Sequence, residues 1–205
     1  MTFVLGLTGS IGMGKSATAA IFRRLGVPVH DADAAVHALY RGSAAPLIEA
    51  AFPGTVADGV VDRAALGRAV LGSAENIERL EAIVHPLVRA EEERFLARAV
   101  AAHAPAAVLD IPLLFETRGE RRCDAVVVAT APGEVQRQRV LARADMTPAK
   151  LQAILAKQMP DAEKRRRAHF LVDTARGHAA AEHQVRGILA ALAGRPGRAL
   201  AARHG

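Results

Sequence analysis

The chain has 205 residues, of which 51% are hydrophobic and 23% charged, and its formal net charge is +6. This length suits one compact domain with small insertions, and the apolar fraction excludes a globally disordered chain. No apolar run approaches the roughly 20 residues that cross a bilayer, so we expect no membrane segment. Because the N-terminus has no basic stretch and no small-residue cleavage site, we also expect no secretion signal.

The cysteine content favours a reducing compartment. The single cysteine, Cys123, cannot form an internal disulfide, and no group of Cys and His residues has the spacing of a zinc site. We therefore expect a cytoplasmic protein.

The positive charge is concentrated in the last third of the chain. Residues 141–205 contain 12 basic and 5 acidic side chains. Such a stretch can belong to a nucleic-acid-binding module or to a protein that binds phosphorylated small molecules. Only 3% of the residues are aromatic, which leaves few side chains for stacking on bases and disfavours nucleic acid.

The hydrophobic pattern predicts short buried strands that alternate with helices. The strands are expected at residues 3–7, 27–30, 108–111, 124–129 and 170–173. The helices are expected at residues 15–25, 34–40, 75–102, 132–144, 148–159 and 178–192, with irregular chain and short helices over 42–74. This alternation predicts an α/β fold of three layers, in which helices cover both faces of a mostly parallel five-stranded sheet.

A glycine-rich motif follows the first predicted strand. Residues 9–16, GSIGMGKS, match G-x-x-x-x-G-K-[ST], a loop whose main-chain N–H groups surround phosphate oxygens. The Lys15 ammonium is expected to reach the β- and γ-phosphates, and the Ser16 hydroxyl to bind Mg²⁺. The residues expected to contact ATP are Gly12, Met13, Gly14, Lys15, Ser16 and Ala17. The motif does not say what is phosphorylated, although the absence of N-K-x-D disfavours a switch GTPase.

Acidic residues follow two of the predicted strands. Ligands of open α/β sheets bind outside the carboxyl ends of the strands. Asp33, after the second strand, is a candidate to accept a hydroxyl proton, although either Asp31 or Asp33 would also serve as a helix N-cap. Asp110, at the end of the third strand, is a second candidate for holding Mg²⁺, together with Ser16.

The remaining candidates are less specific. Arg139 and Arg143, four residues apart on a predicted helix, can neutralise phosphate charge or form a solvated face. His85 is a candidate for contact with substrate or an ordinary core or capping histidine. Leu113 and Leu114 are candidates for the wall of a substrate pocket or for the core. The basic run 164–167 can bind an anionic substrate or lie in solvent.

Several segments together resemble the bacterial dephospho-CoA kinase family, in order and approximate spacing from residue 3 to about 192. They are GLTGSIGMGKS (6–16), HDADAAVH (30–37), IVHPLVR (83–89), VLDIPLLFE (108–116), EVQRQRVLAR (134–143) and HFLVDTARGH (169–178). The resemblance implies ATP-dependent phosphorylation of the ribose 3′-hydroxyl of dephospho-CoA, giving CoA and ADP. It also implies a P-loop NTPase core with a helical substrate-binding insertion and a lid.

The resemblance assigns roles and boundaries. It implies that Asp33 is the catalytic base, that Lys15, Arg139 and Arg143 bind phosphate, and that Gln158 ends the lid. The implied boundaries are a core of 1–34 and 104–194, a helical part of about 35–103, a lid of about 139–160 and a flexible tail of 195–205. We expect dephospho-CoA as partner, no nucleic acid or membrane, and a monomer or weak homo-oligomer.

The chain departs from the usual family pattern at four positions, and other functions stay open. Ser10 and Met13 stand where Gly and Ser are usual, Ala17 where Thr is usual, and Thr174 where Asn is common. The alternatives are another small-molecule or nucleoside monophosphate kinase, a nucleotide-sensing switch, and a basic nucleic-acid-binding module.

Overall fold

The computed structural model describes residues 2–200. Its strands are β1 (Phe3–Thr8), β2 (Val29–Asp31), β3 (Val56–Ala57), β4 (Val60–Val61), β5 (Ala106–Asp110), β6 (Ala125–Thr130) and β7 (Phe170–Asp173). Its α-helices are α1 (Lys15–Arg24), α2 (Ala32–Tyr40), α3 (Ala45–Ala51), α4 (Arg63–Val70), α5 (Ala74–Ala101), α6 (Gly133–Leu141), α7 (Pro148–Leu155), α8 (Asp161–Arg167) and α9 (His178–Leu192).

Five of the strands form one sheet in the order β2-β5-β1-β6-β7. The β1–β5, β1–β6 and β6–β7 pairs are parallel, and Leu5 lies opposite Val108 on one side and Ala125 on the other. Every residue of β1, β5 and β6 is buried, as expected for parallel strands with both faces covered. The predicted α/β class, with a mostly parallel five-stranded sheet flanked by helices, is confirmed.

The chain divides into two compact units, of which the first comprises Met1–His30 and Ala99–Gly205. In this unit, α1 and α9 share a hydrophobic core with the sheet. Phe22 from α1, Val127 from β6 and Val185 from α9 are all completely buried there. The helices hold the carboxyl ends of β1 and β5 in a fixed position, because a close-packed core leaves little room for rearrangement.

The second unit comprises Asp31–Arg98 and has a core of its own. The core includes Leu39 of α2, Ile48 of α3 and Leu66 of α4, which are 3%, 0% and 4% exposed. The antiparallel hairpin β3–β4 lies within this unit, in a region predicted as irregular. The long helix α5 continues through Pro86, which lies inside it.

Two predicted helices are shorter than expected. Helix α6 ends at Leu141 instead of Ala144, because the Arg143 N–H turns back to the Val140 carbonyl and Asp145 adopts a positive φ of 59°. Helix α7 ends at Leu155 instead of Met159, because the N–H groups of Lys157 and Gln158 turn back to the carbonyls three residues before them. The prediction that Arg139 and Arg143 share one helix face is therefore wrong.

The end of the chain is described as far as Leu200. There the Asp124 carboxylate accepts hydrogen bonds from the Arg198 and Ala199 N–H groups at 2.6 and 2.7 Å. The rest of the predicted flexible tail, residues 201–205, lies outside the described residues. Within residues 2–200, no helix combines the length and the hydropathy that crossing a bilayer requires.

Candidate active site

The phosphate-binding loop joins the end of β1 to the start of α1. Gly12 and Gly14 adopt φ angles of +78° and +85°, which residues with a side chain rarely adopt. The Met13 N–H donates to the Ser10 carbonyl at 3.1 Å and closes a tight turn between them. The loop therefore has the curled backbone of an anion-binding nest, and the positive end of the α1 dipole follows it.

Both glycines are also required by close neighbours. A Cβ on Gly12 would lie 2.5 Å from Val140 Cγ2, and a Cβ on Gly14 would lie 2.7 Å from Thr174 Oγ1. Helix α6 and the chain after β7 therefore pack directly against the loop. Both contacts are possible only because glycine has no Cβ.

Lys15 and Asp110 lie together at the carboxyl end of the sheet. Lys15 Nζ is 2.6 Å from Asp110 Oδ1, and the two side chains are only 16% and 3% exposed. In such a low-dielectric environment each charge stabilises the other, and losing one would leave the other uncompensated. The structure thus brings together a predicted phosphate-binding lysine and a predicted metal-binding carboxylate.

Arg139 fastens α6 to the chain after β7. Its guanidinium donates through Nη1 to Thr174 Oγ1 at 2.8 Å and through Nη2 to the Thr174 carbonyl at 2.7 Å. The Thr174 hydroxyl in turn donates to the Met13 carbonyl of the loop at 3.0 Å. Arg139 and Thr174 therefore support the loop backbone, and the departure from Asn at position 174 lies within this network.

The other predicted phosphate-site residues differ in exposure. Arg143 is exposed in the turn beyond α6, and Ser16 and Ala17 are exposed on the first turn of α1. The Met13 side chain is buried, and its sulfur accepts a hydrogen bond from the Ala131 N–H at 3.1 Å. Met13 therefore has only its main chain to offer to an anion.

The segment after β5 is held by a buried ion pair. Lys164 of α8 is completely buried, with Nζ 2.9 Å from Glu116 Oε1. Glu116 Oε1 also accepts the Met159 N–H at 2.7 Å. Burial raises the pKa of Glu116, but the hydrogen bonds from Met159 and Lys164 outweigh it, so the net pKa is lowered. The first residue of the basic run 164–167 therefore has a structural role in the core.

Leu113 and Leu114 have different environments. Leu113 is 40% exposed, whereas Leu114 is completely buried. A Cβ on Gly6 of β1 would lie 2.8 Å from Leu114 Cδ2, so the Leu114 side chain packs against the strand. Of the two, Leu113 has the side chain that an apolar part of a substrate can reach.

The second unit contains the predicted base. Asp31 is the N-cap of α2, where its carboxylate accepts the Ala34 N–H at 3.0 Å. Asp33 lies in the first turn of the same helix. Because Asp31 does the capping, Asp33 remains available for another role. His85, the predicted substrate contact, is exposed on α5.

The predicted magnesium ligands have suitable chemistry. Ser16 offers a hydroxyl oxygen and Asp110 a carboxylate oxygen, the donor types that Mg²⁺ prefers, and Mg²⁺ ordinarily takes only one or two protein ligands beside phosphate and water. No cluster of three or more His, Cys, Asp or Glu side chains in residues 2–200 forms an all-protein metal cage. The residues present therefore fit a magnesium ion that arrives with the nucleotide.

Sequence reasoning did not identify Gln136, which is buried on α6. Its Nε2 donates to the Ile11 carbonyl of the phosphate loop at 2.8 Å. A polar residue three positions before Arg139 and four before the buried Val140 shares their helix face, and that spacing is a signal that a glutamine faces the loop.

Comparisons with known proteins identify relatives over nearly the whole chain. The family model described as CoaE, dephospho-CoA kinase, matches residues 3–179. A dephospho-CoA kinase of Mesorhizobium japonicum is 66% identical over 194 residues, 95% of this chain and 98% of the relative. A dephospho-CoA kinase of Rhodopseudomonas palustris is 61% identical over 195 residues, again 95% and 98% of the two chains.

Two solved structures share the fold of this chain. TT1252 from Thermus thermophilus is 37% identical and superposes with a TM-score of 0.81, covering 93% of this chain and 98% of that one. The dephospho-CoA kinase of Campylobacter jejuni, at 23% identity and a TM-score of 0.62, covers 93% and 97% and shares the fold. With a family model matched over most of its length and relatives above 60% identity, the chain belongs to the dephospho-CoA kinase family.

Proposed function

We propose that this chain transfers the γ-phosphoryl group of ATP to the ribose 3′-hydroxyl of dephospho-CoA, giving CoA and ADP. The observation that carries the proposal is the loop in which Gly12 and Gly14, at positive φ, lead into Lys15 at the start of α1, in a chain of this family. That loop suits a polyphosphate, because main-chain N–H groups, a lysine and a helix N-terminus combine there.

The first unit supplies the nucleotide site. The main-chain N–H groups of residues 12–17 surround the phosphates, and the Lys15 ammonium neutralises charge on them. Arg143 is exposed and in this proposal binds the γ-phosphate, whereas Arg139 is engaged with Thr174. In this proposal Arg139 acts through the shape of the loop as well as through its charge.

Magnesium is part of the proposal. Ser16 and Asp110 would hold the ion, which when bound supplies positive charge that offsets the charge on the transferring phosphoryl group. Asp110 has a second role, since its carboxylate keeps the Lys15 ammonium in place at 2.6 Å.

The acceptor is activated by Asp33 in this proposal. The Asp33 carboxylate accepts the proton of the 3′-hydroxyl while the hydroxyl oxygen bonds to the γ-phosphorus and the bond to the ADP oxygen breaks. His85 and Leu113 are the proposed substrate contacts, whereas Leu114 is completely buried and belongs to the core.

An acceptor panel tests the proposed reaction. Purified protein with ATP and Mg²⁺ is incubated with dephospho-CoA, shikimate, gluconate or nucleoside monophosphates, and ADP and product are followed by chromatography. We expect stoichiometric CoA and ADP with dephospho-CoA alone. Faster turnover of another acceptor would assign the chain to that kinase activity instead.

Asp33→Asn tests the proposed base. The substitution keeps the size of the side chain and removes its basicity, so kcat should fall by about 10²- to 10⁴-fold, the usual range for a general base. Asp31→Asn is the matched control, because asparagine caps a helix as well as aspartate does. Affinity for ATP, measured calorimetrically, should be unchanged in both variants. Turnover of Asp33→Asn near the native rate would rule out the base role.

The compartment, the partners and the oligomeric state are also proposals. The single cysteine in the sequence suits a reducing cytoplasm, and the scarcity of aromatic residues disfavours nucleic acid as a partner. We propose a monomer or weak homo-oligomer, which light scattering after size-exclusion chromatography will determine.

A further inference from the structure

Ile11, at the tip of the phosphate loop, is held by two glutamine side chains. The Ile11 N–H donates to Gln158 Oε1 at 3.1 Å, and the Ile11 carbonyl accepts from Gln136 Nε2 at 2.8 Å. The main chain fixes the orientation of both amides, since an N–H group requires an oxygen partner and a carbonyl requires a donor. Both polar main-chain groups of this one residue are therefore satisfied by side chains.

The two glutamines come from opposite ends of one segment. Gln136 lies on α6, which leads into residues 142–157, and Gln158 follows α7, which lies within them. The two glutamines that flank the segment 142–157 thus both bind the same loop residue, Ile11.

Each end is fixed by a further contact. On α6, Val140 Cγ2 lies 2.5 Å from the position that a Cβ on Gly12 would occupy. Beside Gln158, the Met159 N–H donates to Glu116 Oε1 at 2.7 Å. Both ends of the segment 142–157 are therefore anchored beside the phosphate loop.

We propose that Gln136 and Gln158 are positioning residues, which hold the phosphate loop in its anion-binding shape and couple it to the segment 142–157. The proposal rests on the proposed function of the loop. The direction of the Gly12 N–H depends on the Ile11 dihedral angles, and the two glutamines restrain those angles. Without them the Ile11 groups lose their partners, and the loop adopts other conformations that bind phosphate less well.

The opposite hydrogen-bond polarity of the two sites provides the test. Gln→Glu at position 158 keeps an oxygen acceptor for the Ile11 N–H, whereas Gln→Glu at position 136 removes the donor and places a carboxylate against the Ile11 carbonyl. Gln→Leu removes the interaction at either site. Gln138→Leu and Gln152→Leu are matched controls, because these glutamines are exposed on the same two helices, α6 and α7.

The first measurement is amide hydrogen exchange over residues 9–16 in the nucleotide-free protein, where an added charge cannot repel ATP. We expect faster exchange in Gln158→Leu, Gln136→Leu and Gln136→Glu, and near-native exchange in Gln158→Glu and both controls. Since Gln136 is buried, the Gln158→Leu and Gln158→Glu pair decides the proposal if the position 136 variants do not fold.

The second measurement is steady-state kinetics of the leucine variants. We expect KM for ATP to rise about tenfold, equivalent to about 1.4 kcal/mol, while KM for dephospho-CoA stays within about twofold. Exchange and KM values equal to those of the two controls would overturn the proposal, as would equal losses for both substrates. If the wild type fails to phosphorylate dephospho-CoA, the proposed function fails, but the exchange pattern still decides this inference.

Discussion

At the scale of single residues, glycine is required at position 14 both by its positive φ and by the close approach of Thr174, and a comparison with Gly26 separates these two constraints. Its φ is +85°, and a Cβ would lie 2.7 Å from Thr174 Oγ1 and Cγ2. Gly26, at the end of α1, has a similar φ of +79° but no neighbouring atom within 4 Å of a Cβ. Gly26 therefore experiences the backbone constraint alone.

We predict that Gly14→Ala weakens ATP binding more than tenfold and costs more stability than Gly26→Ala. The alanine at position 26 should cost about 1 kcal/mol from its left-handed backbone. The alanine at position 14 should add the cost of displacing Thr174, and with it the bond to the Met13 carbonyl. Urea unfolding and calorimetric titration with ATP measure the two effects. An equal loss of unfolding free energy in the two variants would show that the Thr174 side chain can shift without disturbing the loop.

The Glu116–Lys164 pair gives a second prediction at this scale. Glu116→Gln removes the countercharge of the completely buried Lys164, and we expect a loss of about 2–3 kcal/mol of unfolding free energy. This is below the usual cost for a fully buried pair, because the Glu116 side chain is 17% exposed and partly screened. Glu163→Gln, which breaks ion pairs on the exposed face of α8, is the control and should cost much less.

The pH dependence of stability checks the same pair. The pKa of Glu116 is lowered in the folded protein, so its stabilising contribution is complete above the unfolded value of 4.5 and is lost as the pH falls through the lower folded value. The difference in Tm between wild type and Glu116→Gln should therefore shrink as the pH falls below 4.5. A difference independent of pH would show that the Glu116 carboxylate does not stabilise Lys164 by its charge.

At the scale of elements, the end of α6 at Leu141 separates the two arginines that the sequence placed on one helix face. Arg139 lies within the helix and is bonded to Thr174, whereas Arg143 lies in the exposed turn that follows. We predict that Arg143→Met lowers kcat by about 10²- to 10³-fold, the usual effect of removing one transition-state donor, and leaves Tm unchanged. Arg139→Met should lower both.

Stopped-flow turnover and thermal unfolding of the two variants measure this difference. Arg137→Met, which removes another exposed arginine of α6, is the control and should behave as wild type in both assays. Native turnover in Arg143→Met would identify Arg143 as a solvated surface residue.

The same elements show what the sequence predicts well. The β7 strand and α9 were predicted with their observed bounds, because a short apolar run and a sustained helical period are local signals. The ends that the sequence predicts for α6 and α7 are too late, since each helix ends in an individual turn of three-residue hydrogen bonds. Helix α8 was not predicted, because its buried lysine is stabilised by Glu116, which is distant in the sequence.

The candidate site likewise has a part that the sequence predicts and a part that it does not. The phosphate loop is predictable because its glycines and lysine are contiguous and its geometry follows from their spacing. The bonds of Gln136 and Thr174 to the loop join residues more than 100 positions apart, so a local pattern can give the helix face of Gln136 but not the partner of either residue. Likewise, the sequence left open whether Asp31 or Asp33 caps α2, and the position of the helix start decides it.

At the scale of the whole molecule, the proposed catalytic residues are distributed over two units with separate cores. Lys15, Arg139 and Arg143 belong to the first unit, and Asp33 and His85 to the second. The net charge of +6 has the same uneven distribution, because residues 141–205 of the first unit, with 12 basic and 5 acidic side chains, exceed it by themselves. Nucleotide binding should therefore depend on the first unit, and turnover on both.

This division leads to a prediction about cooperativity. Ile48 is completely buried in the core of the second unit, and Ile48→Ala should cost about 2–5 kcal/mol of stability there. We expect faster hydrogen exchange within residues 31–98 and a lower rate of CoA formation, with native ATP affinity and native protection over residues 9–16. Ile21→Ala, in the core of the first unit, is the matched control and should weaken ATP binding as well. If Ile48→Ala weakened ATP binding as much as Ile21→Ala, the two cores would unfold as one cooperative body, and the nucleotide site would depend on both.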